Sequence, residues 1–168
     1  MKEKLQEYAL IAEVVSAIAI VISLIFVGIE ISQNSEIQVQ SNTQSVVREW
    51  RSSVASISIN PELACVYSKG IYDFNALNGH ESVMFSSFML SQWFITQEMY
   101  FFSLDNLMDE EIWEGFLTTT TEVMGYPGAK QWWEVRKGWY SKDFQIFINE
   151  IAEQQNSTIP DFIEFECN

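Results

Sequence analysis

The chain has 168 residues, enough for one compact domain with an appendage and too few for two full domains. Its hydrophobic fraction of 48% suits a globular protein, while the aromatic share of 14% is high and falls almost entirely after residue 50. The formal charge is −14, with seven basic against nineteen acidic residues beyond Ser32, which repels phosphate backbones and anionic lipid surfaces and argues against nucleic-acid binding.

In chain order, a flank over residues 1–8, "MKEKLQEY", precedes the most apolar stretch of the protein. Between Glu13 and Glu30 lie sixteen uncharged, mostly apolar residues. At ~1.5 Å per residue they reach ~24 Å, short of a ~30 Å hydrocarbon core, and extension to residues 9–31 makes the segment long enough. Tyr8 then stands where an interfacial aromatic is expected. The following "GIEISQNSEIQ" offers no small-residue cleavage site of the kind a signal peptide needs. The segment is also apolar around nearly its whole circumference, unlike a core helix. An uncleaved transmembrane helix over residues 9–31 is therefore expected. Lys2, Lys4 and the terminal amine flank one end, and no basic residue follows the other until Arg48. The positive-inside rule then keeps the N-terminus in the cytoplasm and puts the rest of the chain outside.

Ala12, Ser16, Ala19 and Ser23 recur at spacings of four, three and four, forming one stripe of small residues suited to helix association in a membrane. The register continues through Phe26, Glu30, Gln33, Ile37, Gln40, Gln44, Val47, Arg51 and Val54, so a stalk helix over residues 32–58 is expected to prolong the span. If copies pack through the stripe, Glu30 would form an acidic ring of the kind that lines cation channels. Ala and Ser serving only to dilute an anchor is the plainer alternative.

A helical bundle is expected over residues 59–153. Val47, Trp50, Val54 and Ile57 carry the stalk helix to "INPEL", where Asn60 reads as an N-cap and Pro61 as a first-turn proline. The helix they open runs to about Ile71. "NALNGHES" reads as a loop ending in a capping box, Asn78 with Glu81, before a third helix with a wide apolar face from Val83 to Phe102. Asp109 caps the next helix, with Glu110 and Glu111 at its positive end. "MGYPG" stops it. "PGAKQWWEVRKGWY" and "SKDFQIFINEIAEQ", the latter capped by Ser141, supply two more helices, and residues 154–168 form a loose tail. No stretch alternates as a strand would, so the fold class is all-α.

"VISLIFVGIEISQNSE", "NPELACVYSKG", "LMDEEIWEGF" and "GYPGAKQWWEVRKGWYSKDFQIFINE" together resemble a family of uncharacterised bacterial membrane-anchored proteins with one span and a small aromatic-rich helical domain. The likeness extends from about Ile11 to Ile151. It implies that architecture and a bacterial inner-membrane origin, and no activity. Members often carry arginines just after the span, favouring a cytoplasmic domain; here Glu30 and Glu36 occupy that flank, so the resemblance leaves the side open.

Chemistry-bearing patterns are sparse. His80, the sole histidine, sits in a polar stretch, and neither a zinc site nor the Glu-x-x-His pairs of di-iron bundles can be assembled. Glu98, Glu110, Glu111 and Glu114 suit a solvated face better than an acid–base pair. Cys65 and Cys167 lie far apart with no framework spacing, and Cys65 reads as a small buried hydrophobe. Trp132 and Trp133, beside Glu134 and Arg136, are candidates for an aromatic pocket; as core residues, one would point inward and its neighbour sit at the rim. No catalytic residue, cofactor or metal is expected. The leading expectation is a non-enzymatic membrane-anchored helical protein acting through self-association or as accessory subunit of a membrane assembly. A small-ligand sensor with an aromatic pocket and a homo-oligomeric cation channel are the alternatives.

Overall fold

A computed structural model describes residues 2–154, apart from the side chains at positions 3, 5, 7 and 9. Cys167 and nearly all of the expected tail lie outside these. The described residues are all-α: α1 (Lys2–Ile59), α2 (Pro61–Tyr72), α3 (Gly79–Leu104), α4 (Glu110–Val123), α5 (Pro127–Arg136) and α6 (Lys142–Gln154), with 3-10 turns at Phe74–Ala76 and Lys137–Trp139. The chain divides into two compact units at Val39 and Gln40.

In the first unit, α1 carries the one stretch among the described residues long and apolar enough to cross a membrane, and none of its most apolar window is buried by protein. A helix satisfies its own backbone hydrogen bonds, as a segment in hydrocarbon must. No proline interrupts it before Pro61, whose ring holds Asn60 in extended backbone (φ −125°, ψ 97°) and so ends α1 at Ile59.

The second unit begins earlier than the stalk was expected to end. From Gln40 onward α1 belongs to the domain. Val46 is buried with Ile95, Met99 and Met108 in a small core, against which Trp50, Trp113 and Phe116 pack. Thr43 accepts a 3.0 Å hydrogen bond from the Asp109 amide, and Asn42 donates to the Leu107 carbonyl at 3.2 Å.

Local signals set the other helix ends. Asn60 accepts from the Leu63 amide, Asp109 from that of Ile112, and Ser141 from that of Phe144. Asn78 and Glu81 form the full capping box. Glu81 also meets Lys69 at 2.8 Å, and that hydrogen bond, followed by the Asn78 amide, holds its carboxyl below the usual carboxylate range. α3 ends with Asn106 in the left-handed region (φ 56°), which asparagine tolerates, while the Leu107 amide reaches back to the Phe102 carbonyl.

α5 lies at the centre of the larger core. A Cβ on Gly128 would strike the backbone carbonyls of Gly70 and Ile71, and one on Gly70 would fall 2.5 Å from the Phe85 ring. Gly128 thus lets α5 touch the α2 backbone, and Gly70 leaves room for the Phe85 ring of α3. The arrangement corrects the expectation of one inward and one rim tryptophan, because both Trp132 and Trp133 are fully buried. Trp132 Nε1 donates to Ser86 of α3 at 3.1 Å and Trp133 Nε1 to Asn149 of α6 at 2.9 Å, so each indole has its polar atom paired. Cys65 is corrected too: it is half-buried rather than a buried small hydrophobe.

Candidate functional site

The second unit holds an apolar cavity of about 740 Å³. Helical periodicity builds it. Trp50, Val54, Ile57 and Ser58 share one face of α1, and Pro61, Ala64, Ser68 and Ile71 share one face of α2, with Tyr67 beside them. Phe88 and Gln92 from α3, Thr119 and Val123 from α4, and Tyr126 complete the wall. Small side chains at Ala64, Ser68 and Thr119 leave space that leucines would fill. Ser58 and Pro61 are exposed and stand at the mouth; Ile71, Phe88 and Tyr126 are buried and form the floor.

The walls are uncharged. Tyr67 packs edge-on against Phe88 with ring centroids 5.2 Å apart, and Tyr72 against Tyr126 at 5.5 Å. Burial, then the neighbouring Tyr126, pushes the Tyr67 hydroxyl up to about 12. Tyr126 is likewise raised, first by burial and then by Tyr72 and Glu122. Both phenols stay protonated at neutral pH, so no charged side chain lines the cavity. Its volume and apolar walls with a few polar groups are those of a small-molecule site.

A second hollow of about 970 Å³ runs between α1 and α3 as an open groove, where Ser52, Ser56, Ser87 and Ser91 meet Glu49 and His80. Leu63, Val83, Met84 and Phe94 stand beside those polar groups, but the groove is open along its length and sequesters no surface from water.

The sequence-derived candidates fall elsewhere. Trp132 and Trp133 belong to the core and are not in the wall of this cavity, whose aromatics are Trp50, Tyr67, Phe88 and Tyr126. Ala12, Ser16, Ala19, Ser23 and Glu30 are exposed on α1, and the Ser16 hydroxyl donates back to the Ala12 carbonyl at 2.7 Å. His80 lies in the first turn of α3 rather than in a loop, exposed, with Nε2 3.2 Å from Glu62. Glu98, Glu110, Glu111 and Glu114 are all exposed. Sequence reading noticed Trp50, Val54 and Ile57 as a helix face, but it had no signal for Ala64, Ser68, Gln92 or Thr119.

In comparison with known proteins, no family model, no curated protein and no solved structure matches the chain.

Proposed function

We propose that this is a membrane-anchored, non-enzymatic binding protein whose aromatic helical domain takes up a small apolar molecule. The half-enclosed, uncharged cavity between α1, α2, α3 and α4 carries the reading. Its walls bring aliphatic, aromatic, hydroxyl and amide groups together, without the ionisable pair that acid–base catalysis uses. In this reading the apolar part of α1 is a single span of a bacterial inner membrane. The domain faces the non-cytoplasmic side: Lys2 and Lys4 favour a cytoplasmic N-terminus, and no basic residue follows the span until Arg48.

The test uses the full-length protein in detergent. Organic extraction of the purified protein should release a bound apolar compound, and apolar small molecules should raise its melting temperature. Ala64→Trp, which fills the cavity from α2, should remove both effects while leaving the helical circular dichroism unchanged. Identical extraction and melting shifts in wild type and Ala64→Trp would defeat the reading.

Association through the span is a second reading, supported by the exposed stripe of Ala12, Ser16, Ala19 and Ser23 along one face of α1. Paired Ser16→Leu and Ser23→Leu substitutions should lower the detergent-solubilised mass to that of a monomer; an unchanged mass counts against it.

A further inference from the structure

The cavity does not end at its main chamber. An adjoining hollow of about 50 Å³ shares the Tyr67, Gln92 and Thr119 walls and adds Thr96 and Thr120. Space of that size admits a water or one small polar group of a ligand, not a ring system. Gln92 lines both chambers, and its Oε1 is buried without a hydrogen-bond partner. A buried acceptor left unpaired is costly, and pairing it with a donor recovers that cost.

The neighbouring hydroxyls do not supply the donor. Thr96 Oγ1 donates to the carbonyl of Gln92 at 2.9 Å, and Thr119 Oγ1 donates to that of Gly115 at 3.2 Å. Both protons are committed to their own helices, so these oxygens turn lone pairs outward. The junction of the two chambers therefore offers acceptors at Gln92, Thr96 and Thr119, beside the Tyr67 hydroxyl, which both donates and accepts.

We propose that the cavity selects a neutral, mainly apolar molecule carrying a hydroxyl or N–H donor, with that donor held at Gln92 Oε1 and the apolar body in the larger chamber. This rests on the reading of the cavity as a ligand site. A carboxylate is disfavoured because no cation lines the wall to offset its desolvation and Gln92 Oε1 would repel it. An ammonium is disfavoured because no carboxylate lines the wall to pair with it. An ether or hydrocarbon of the same shape fits the space but leaves Gln92 unpaired.

Full-length protein in detergent is dialysed to equilibrium against 2-naphthol, 2-methoxynaphthalene and 2-naphthoate at pH 7, with protein-free detergent as the blank. Wild type should hold 2-naphthol about tenfold more tightly than its methyl ether, the difference one buried hydrogen bond makes. It should hold 2-naphthoate more weakly than either. Gln92→Met, which keeps the side-chain length, should bring 2-naphthol to the level of the ether and leave the ether unchanged. The wild-type series decides by itself should that variant not fold. Equal retention of naphthol and ether by wild type, with both lost in Ala64→Trp, overturns the donor selectivity and leaves the cavity reading standing. No retention of any probe above the blank overturns both.

Discussion

Ile22 and Phe85 are both large apolar side chains, yet Ile22 is 61% exposed to whatever surrounds α1 and Phe85 is wholly buried. The contrast extends to the regions around them. Residues 10–31 are aliphatic, in one unbroken helix, and exposed throughout. The unit from Gln40 onward is aromatic, in short capped helices, with paired indoles and a backbone-to-backbone crossing. In the proposed reading, apolarity serves two different solvents. Facing lipid, side chains need no partner, and helix formation already satisfies the backbone. Facing water, burial must be arranged residue by residue, so substitutions in the two regions should have unlike consequences.

The sharpest contrast is between two glycines. Gly128→Ala places a methyl group into the carbonyls of Gly70 and Ile71, and should destabilise the domain by more than about 4 kcal/mol. A Cβ on Gly28 meets nothing within 4 Å, so Gly28→Ala should leave the unfolding midpoint unchanged. Denaturant titration of the full chain, followed by tryptophan fluorescence, compares the pair; similar losses would erase the distinction. Next in size, Trp133→Ala should cost about 3–5 kcal/mol in the same titration, since it opens a cavity and strips Asn149 of its donor. Phe26→Ala in the span should change the domain's midpoint little.

Smaller effects locate the boundary. Thr43→Val removes the hydrogen bond to the Asp109 amide and should cost ~1 kcal/mol, whereas Ser35→Ala, before the domain begins, should cost nothing. Equal results would move the start of the folded unit away from Gln40. The pH dependence is finer still. The hydroxyl of Tyr67 ionises at about 12 in the folded protein against 10.0 for the free side chain, so the folded state holds the proton more tightly. Its contribution to stability is full below pH 10 and falls as pH rises from 10 to about 12. Tyr67→Phe should flatten that part of the stability profile, measured by thermal unfolding at pH 8, 10 and 11.

The helix ends were readable because their causes are local. Asn60 with Pro61, Asn78 with Glu81, and Asp109 with Ile112 each act within three residues, so a short window of sequence contains the whole interaction. The long apolar helix was readable for a similar reason. The cavity was not, because its wall gathers positions from Trp50 to Tyr126 on separate helices, and small residues such as Ala64 and Thr119 acquire meaning only from what stands opposite. The Trp132–Trp133 pair misled for a related reason: neighbours on a helix point about 100° apart, which suggests one buried and one exposed. That holds for a surface helix, but here Ser86 of α3 meets one indole and Asn149 of α6 the other. The polar run "SEIQVQSNTQS" concealed the entry of α1 into the domain, since Thr43 and Val46 are too few to form a visible stripe.

Carbonate washing of membranes from cells producing the full chain tests the two-solvent account most directly. The account predicts a 19.4 kDa product that stays in the membrane pellet and unfolds cooperatively once solubilised in detergent. Release of the product into the supernatant, or recovery of a shorter chain lacking the apolar part of α1, would contradict it.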